Sequence, residues 1–223
     1  VYLEDSVKQE SLKASNKESL KQEESGNGEV LPQEIKQEVE YNVLTTSKQG
    51  NIKVVLYDGS HVWLNAGSEL RYPNSFVENQ RVVYLKGEAY FDVTKDESHP
   101  FIVKTIASEI SVLGTSFNVK AYRNSGLVET SLVEGVVSVK DNVLRPDMQA
   151  TYHEQLGDFS YRKIKGENYR LRKEQMFVFE EERLDDILQE MARWYDFEVF
   201  FQQQEVKNYR FRGVLSRDMD IRQ

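Results

Sequence analysis

The chain has 223 residues, 29 Lys and Arg against 37 Asp and Glu, and a formal net charge of −8. That balance argues against a phosphate-backbone binder, whose affinity comes from clustered cations, while 39% hydrophobic residues with 11% aromatics suffice for a core and exclude wholesale disorder. No run approaches the roughly 18 to 20 apolar residues of a membrane span, and with no cysteine disulfides, thiol nucleophiles and thiolate metal sites are excluded.

Without a start methionine or a signal peptide, the sequence reads as a processed or cut-down piece of a longer protein. Residues 1–40 hold five Lys, no Arg and ten acids, a net −5 of the chain's −8. One aromatic, Tyr2, and a polar run from Ser6 to Gly28 offer too little apolar surface to offset backbone ordering entropy. An acidic tether is the first expectation for 1–40. A degenerate β segment begun by Val1-Tyr2-Leu3 is the second.

From Tyr41 short runs of β-branched and aromatic residues alternate with polar ones, the pattern of many short strands. Ile52 to Tyr57 and Ser60 to Asn65 face each other across Asp58-Gly59, a dipeptide that takes positive φ readily, which predicts a hairpin. Asn65-Ala66-Gly67-Ser68 then turns the chain, and Pro73-Asn74 ends the next strand. Leu85-Lys86-Gly87-Glu88-Ala89-Tyr90-Phe91 and Val133-Glu134-Gly135-Val136-Val137-Ser138-Val139 share one order: apolar, charged, Gly, alternating strand. Leu113-Gly114-Thr115-Ser116-Phe117-Asn118-Val119 is a shorter form. Glycines at 59, 87, 114 and 135 predict tight turns where a Cβ would clash, with Lys86, Glu88 and Glu134 at solvated corners. Their irregular spacing suits a mainly β, solenoid-like or rolled domain of stacked short strands over 41–165, with a β-sandwich as competitor.

The pattern changes after Gly166. Phe177-Val178-Phe179 reads as a strand. Leu184, Ile187, Leu188, Met191 and Tyr195 fall on one face of a helix, with Asp185 and Asp186 in its first turn and Arg193 in its last, complementing the helix dipole. Phe197 to Phe201 and Tyr209 to Leu215 predict two more strands. Residues 166–223 thus form a small α+β unit of β-α-β-β order, whose natural continuation is a helix from Asp218-Met219-Asp220-Ile221, so the unit reads as truncated.

Little of this points to catalysis. His61, His99 and His153 are far apart and read as surface or strand residues rather than metal ligands. No nucleophile elbow, phosphate loop or dinucleotide fingerprint is present. Asp185 and Asp186 point in different directions on a helix and have an ordinary dipole explanation. Trp63, Tyr84, Tyr90 and Phe91 either line a sugar platform or, on alternating strands, fill the core. The expectation is binding or signalling, with no enzyme activity, cofactor or metal.

Four ordered blocks resemble the FecR family as found in Bacteroidetes. They are Leu56-Tyr57-Asp58-Gly59-Ser60-His61-Val62-Trp63-Leu64-Asn65-Ala66-Gly67-Ser68; Arg81-Val82-Val83-Tyr84-Leu85-Lys86-Gly87-Glu88-Ala89-Tyr90-Phe91-Asp92-Val93; His99-Pro100-Phe101-Ile102-Val103; and, the most specific, Val112-Leu113-Gly114-Thr115-Ser116-Phe117-Asn118-Val119-Lys120-Ala121-Tyr122. The stretch from Phe177 to Gly213, with Leu184-Asp185-Asp186-Ile187-Leu188 and Arg193-Trp194-Tyr195-Asp196, is similar to the small C-terminal domain that usually follows. Departures are Tyr57 where proline is common, Pro146-Asp147-Met148-Gln149 in place of a Pro-Gly-Gln-Gln-like turn, and Arg172 and Gln175 where Trp and Gly are frequent.

The resemblance implies the periplasmic region of a regulator tethered to the inner membrane, without catalysis. It would sense the signalling domain of a TonB-dependent outer-membrane transducer. A cytoplasmic region outside this sequence would control an extracytoplasmic-function sigma factor. The C-terminal unit is then expected to dock by strand addition, with Arg193, Tyr209 and Phe211 as partner contacts, although Phe211 serves equally well as core. The alternative is a periplasmic carbohydrate-binding or structural β module built on Trp63.

Overall fold

Alternating apolar residues in short runs need a shared face to bury, and among the described residues fourteen strands find it in one hydrogen-bonded sheet curled into a half-barrel. The computed structural model describes residues 9–12, 39–48, 50–76, 79–140, 142–174 and 176–219. The strands are β1 (Gln9–Leu12), β2 (Tyr41–Thr45), β3 (Ile52–Val55), β4 (His61–Leu64), β5 (Glu69–Pro73), β6 (Arg81–Asp92), β7 (Phe101–Lys104), β8 (Glu109–Val112), β9 (Ser116–Ala121), β10 (Leu127–Glu134), β11 (Val137–Val139), β12 (Asn142–Leu144), β13 (Met148–His153) and β14 (Asp158–Lys163). The main path runs β12-β11-β8-β7-β6-β9-β10-β13-β14, with β1-β2-β5 and β3-β4 joining at β6. The β6–β7 pair is parallel.

The expected hairpin is β3 and β4, paired from Ile52↔Leu64 to Val55↔His61. Its loop is closed by the Leu56 N–H donating to the Ser60 carbonyl at 2.8 Å. The buried Arg81 guanidinium fastens that loop, donating to Asp58 at 2.7 Å and to the His99 and Thr94 carbonyls at 2.8 and 2.9 Å.

Strand β6 joins the two halves of the sheet. Residues 81–86 pair with β5 and β7, and residues 87–92 with β4 and β9. The change falls at Gly87, where φ is +95° and a Cβ would lie 2.3 Å from Ser68 Oγ. That hydroxyl accepts the Glu88 N–H at 2.8 Å. Lys86-Gly87-Glu88 is therefore a bend inside one twelve-residue strand, not the expected turn, and Glu88 is 1% exposed rather than at a solvated corner. A positive φ serves a turn and a strand bend alike. Which one forms depends on whether ladder bonds continue on both sides, and here they do.

The core lies on one face of the curled sheet. Val62, Leu64, Ala89, Phe91, Phe117, Val119 and Leu132 are fully buried from one half, with Val83, Leu85, Phe101, Val103 and Ile110 from the other. Phe91 stacks on Phe117 with centroids 5.1 Å apart.

The C-terminal region adds α1 (Gly166–Leu171), a 3-10 turn at Arg172–Glu174, β15 (Met176–Arg183), α2 (Leu184–Tyr195), a second 3-10 turn at Gln204–Asn208 and β16 (Arg210–Ser216). β15 and β16 pair antiparallel, with a bulge between Phe179 and Glu182. The apolar stripe of α2 covers Phe177 and Phe179 with Ile187, Met191, Trp194 and Tyr195, a second small core. The helix closes on Asp196 in the left-handed region. The expected strand at Phe197 to Phe201 has no ladder partner among the described residues. Its alternation is real, since Phe197, Val199 and Phe201 are half-buried and Glu198 and Phe200 exposed. Alternation records which side is covered, not that a strand lies alongside.

Of the acidic N-terminal stretch, Gln9–Leu12 pairs antiparallel with β2. Val1-Tyr2-Leu3 and the remainder of the expected tether up to residue 38 lie outside the described residues. Asp218 and Met219 form a turn and a bend, and the rest of the expected last helix also lies outside them.

Candidate functional site

Side chains alternate across a strand, so strands that point aliphatic groups at the core must point a second set away from it. On the half-sheet of β4, β6, β9, β10, β13 and β14 that outer set is polar. One cross-strand row reads Trp63, Tyr90, Asn118, Ser131, Gln149, Arg162. The next reads Glu88, Lys120, Glu129, Thr151, Ser160. The C-terminal region lies over this face.

Glu88 is the centre of the contact. Its Oε1 accepts from Arg172 Nη1 at 2.7 Å and Asn118 Nδ2 at 3.0 Å, and its Oε2 from Asn65 Nδ2 at 2.9 Å. Arg172 Nη1 also donates to Glu190 Oε1 at 3.1 Å and its Nη2 to the Val178 carbonyl at 3.3 Å. One guanidinium thus holds sheet, helix and strand together. Arg217, just past β16, donates from Nη1 to Asn65 Oδ1 at 2.8 Å and stands 3.7 Å from Glu190, its guanidinium over the Phe177 and Trp194 rings at 4.8 and 4.7 Å. These two carboxylates and two guanidiniums are all at most 11% exposed at the side chain. Asn65, Glu88, Tyr90, Asn118, Arg172 and Arg217 border a cavity of about 20 Å³, room for a single water.

Burial alone would raise the Glu88 carboxyl, but Arg172, then Lys120, the Asn65 hydrogen bond and Arg217 outweigh it and hold the group at about 2. Burial likewise opposes the charge on Arg172, and Glu190 and Glu88 reverse it, so the net shift is upward. Arg217 goes down because burial exceeds the pull of Glu190. Half-buried Glu129 differs from Glu88: burial lifts its carboxyl above the ordinary range despite Lys120 opposite. Lys120, facing Glu129, Glu190 and Glu88, overcomes its own burial and keeps its charge.

The three residues expected to contact a partner separate. Arg193 is half-buried with its guanidinium 4.0 Å from the Tyr122 ring centroid, at the edge of the seam. Tyr209 and Phe211 are 59% and 49% exposed at the start of β16. Leu184 N–H donates to the Tyr209 carbonyl at 2.7 Å, so these two sit by the first turn of α2. Arg193 is about 13 Å of helix rise away. Phe211, like Val214 and Leu215 at 48% and 39%, is outside the small core.

The aromatics do not form one platform, because neighbours on a strand face opposite ways. Phe91 is core, Tyr90 and Trp63 pack edge to face on the outer side under Lys173, and Tyr84 lies with Arg71 on the other half of the sheet. The histidines are dispersed as well. His61 tilts on Trp63, His99 Nδ1 is 2.8 Å from Asp96, and His153 Nε2 is 2.8 Å from Ser160 Oγ.

Sequence reasoning missed Glu88, Arg172, Glu190 and Arg217. Two signals were available. Glu88 follows a glycine and directly precedes the run Ala89-Tyr90-Phe91, and Glu190 falls three residues after Ile187, on the covered stripe of α2.

A family model for FecR protein matches residues 42–138, and one for the FecR C-terminal region matches 176–223. Asn65, Glu88 and Asn118 lie in the first stretch, Glu190 and Arg217 in the second, and Arg172 between them. Two crystal structures, both described as candidate anti-sigma factors from Parabacteroides distasonis ATCC 8503, are similar. One has a TM-score of 0.73 at 29% identity over 79% of this chain and 85% of its own. The other has 0.71 at 28%, over 80% and 86%. No curated protein matches the chain.

Proposed function

The chain belongs to the FecR family, and from that premise we propose that it is the periplasmic sensor part of an anti-sigma regulator. It receives a signal from the signalling domain of a TonB-dependent outer-membrane transducer and passes it across the inner membrane to an extracytoplasmic-function sigma factor. No helix among the described residues is long and apolar enough to cross a membrane, so contact with the sigma factor would run through a cytoplasmic region outside this sequence. The observation that carries the reading is the likeness to two candidate anti-sigma factors over 79% and 80% of the chain.

Strand β16 supplies the docking surface. It pairs only with β15 among the described residues, and it carries exposed Phe211, Val214 and Leu215 beside exposed Tyr209. An open edge bearing apolar side chains is what strand addition requires: main-chain bonds give affinity and alternate side chains give selectivity. Titration of the chain with the transducer's signalling domain tests this. Saturable binding is expected, with the largest amide shifts over 210–216, and Phe211→Asp should weaken it at least tenfold while leaving the melting temperature in place. No heat and no shift at high micromolar concentration would overturn the reading.

A further inference from the structure

The C-terminal region is joined to the sheet by charge, although each side has an apolar core of its own. Phe177, Phe179 and Ile187 form one core and the sheet residues another. Between them lie Glu88, Arg172, Glu190 and Arg217, and further polar ties join the two sides: Arg162 to Glu182 at 2.9 Å and to the Glu180 carbonyl at 3.4 Å, Asn168 of α1 to Glu180 at 2.5 Å, Lys48 to Asp196 at 2.6 Å, and Arg193 over Tyr122. Buried ion pairs of this kind cost nearly as much desolvation as they return in attraction, and well-packed apolar residues commonly hold as firmly or more so. A polar joint between two separate cores lets the parts separate without opening either core.

Helix α1 belongs to the sheet side. The Gly166 N–H donates to Asp147 Oδ1 at 2.8 Å, and Arg170 pairs with Glu134 at 3.2 Å. The dividing line therefore falls at the 3-10 turn holding Arg172, whose guanidinium reaches both sides. On the far side, Trp194 Nε1 and Tyr195 OH donate to the Arg217 carbonyl at 3.1 and 3.2 Å, so α2 and the end of β16 move together.

From this we infer that β15, α2 and β16 form a seated head, held on the outer face of the sheet by the Glu88–Arg172–Glu190–Arg217 seam and able to leave it as a unit while the sheet stays folded. The joint is selective rather than strong. Removing one charge leaves a buried guanidinium short of a partner, whereas removing a matched pair relieves both sides. Val178 reports on the joint. It is 6% exposed, belongs to neither core, and alternation puts it on the face of β15 opposite Phe177 and Phe179.

Because the chain has no cysteine, a single introduced thiol is a clean probe. Val178→Cys senses seat opening and Val119→Cys, fully buried in the sheet core, senses global unfolding. In native buffer the Val178→Cys chain should react with a thiol reagent at least tenfold faster than the Val119→Cys chain. Adding Glu88→Gln should speed the first at least another tenfold and change the second less than threefold. Glu88→Met with Arg172→Met should bring the first rate back toward its starting value. If Glu88→Gln prevents folding, Arg172→Lys keeps the charge but loses the fork that spans both carboxylates, and the same split between the two rates is expected. Two reporters that react equally and accelerate together, or a Val178→Cys rate indifferent to the seam variants, would overturn the seated head.

Discussion

The two faces of the half-sheet around β6 are made by the same strands and behave as different materials. Phe91, Phe117, Val119 and Leu132 on the core face are fully buried apolar groups. One residue away along each strand, Tyr90, Asn118, Lys120 and Ser131 build a polar face that the C-terminal region covers with matched charges. Apolar packing is non-directional and scales with area, so the core face fixes that the sheet curls. Hydrogen-bonded charges are directional and penalise a missing partner heavily, so the outer face fixes what sits on it and in which register. Selectivity is placed where strength is least needed.

The sharpest way to break that comparison is to attack the core face. Phe117→Ala removes a fully buried ring stacked on Phe91 and should cost about 3 to 5 kcal/mol in urea unfolding, loosening sheet and head together. Loss of the head alone would mean that the core face is not the stronger of the two.

Acid is the next largest probe, and on the outer face its target is Glu88. The unfolded chain takes a proton on Glu88 near the ordinary carboxyl value of 4.5, and the folded chain only at about 2. Between these values the unfolded state holds more protons, so stability present at neutral pH is lost as pH falls through that window, by about 3 kcal/mol for a shift of this size. The measurement is the urea midpoint from pH 6 to pH 2, compared with Glu88→Gln. The variant should start lower and decline less, and parallel curves would remove Glu88 from the account.

Much of the core face was legible in the sequence. Asp58-Gly59 marked its hairpin and alternation marked its short strands, and a 3.6-residue period located α2 nearly to the residue. The seam was not legible, for a physical reason. Periodicity says which residues share a face, but Glu88 finds Arg172 across 84 positions, and nothing local announces that meeting. Glu88 therefore read as a solvated corner, the usual place for a charge beside glycine. Phe197 to Phe201 failed in the opposite way, with a local pattern that was sound and no partner strand among the described residues.

The smallest prediction carries the opposite sign and separates charge from burial. Glu129 lies one strand beyond Lys120 from Glu88 in the same cross-strand row, and burial raises its carboxyl rather than lowering it. A carboxyl raised on folding is more easily ionised in the unfolded chain, so its charge opposes folding at neutral pH and the opposition fades as pH falls through the folded value. Glu129→Gln removes that charge and keeps an oxygen for the Gln149 amide, now 3.1 Å away. The melting temperature at pH 7 should rise, and the gain should shrink in acid. Glu88→Gln in the same buffer should lower it. Two neutralised acids in one row, moving stability in opposite directions, would show that the outer face is tuned by which charge meets a cation and not by burying polar groups as such. A rise for both variants would leave burial as the sole cause.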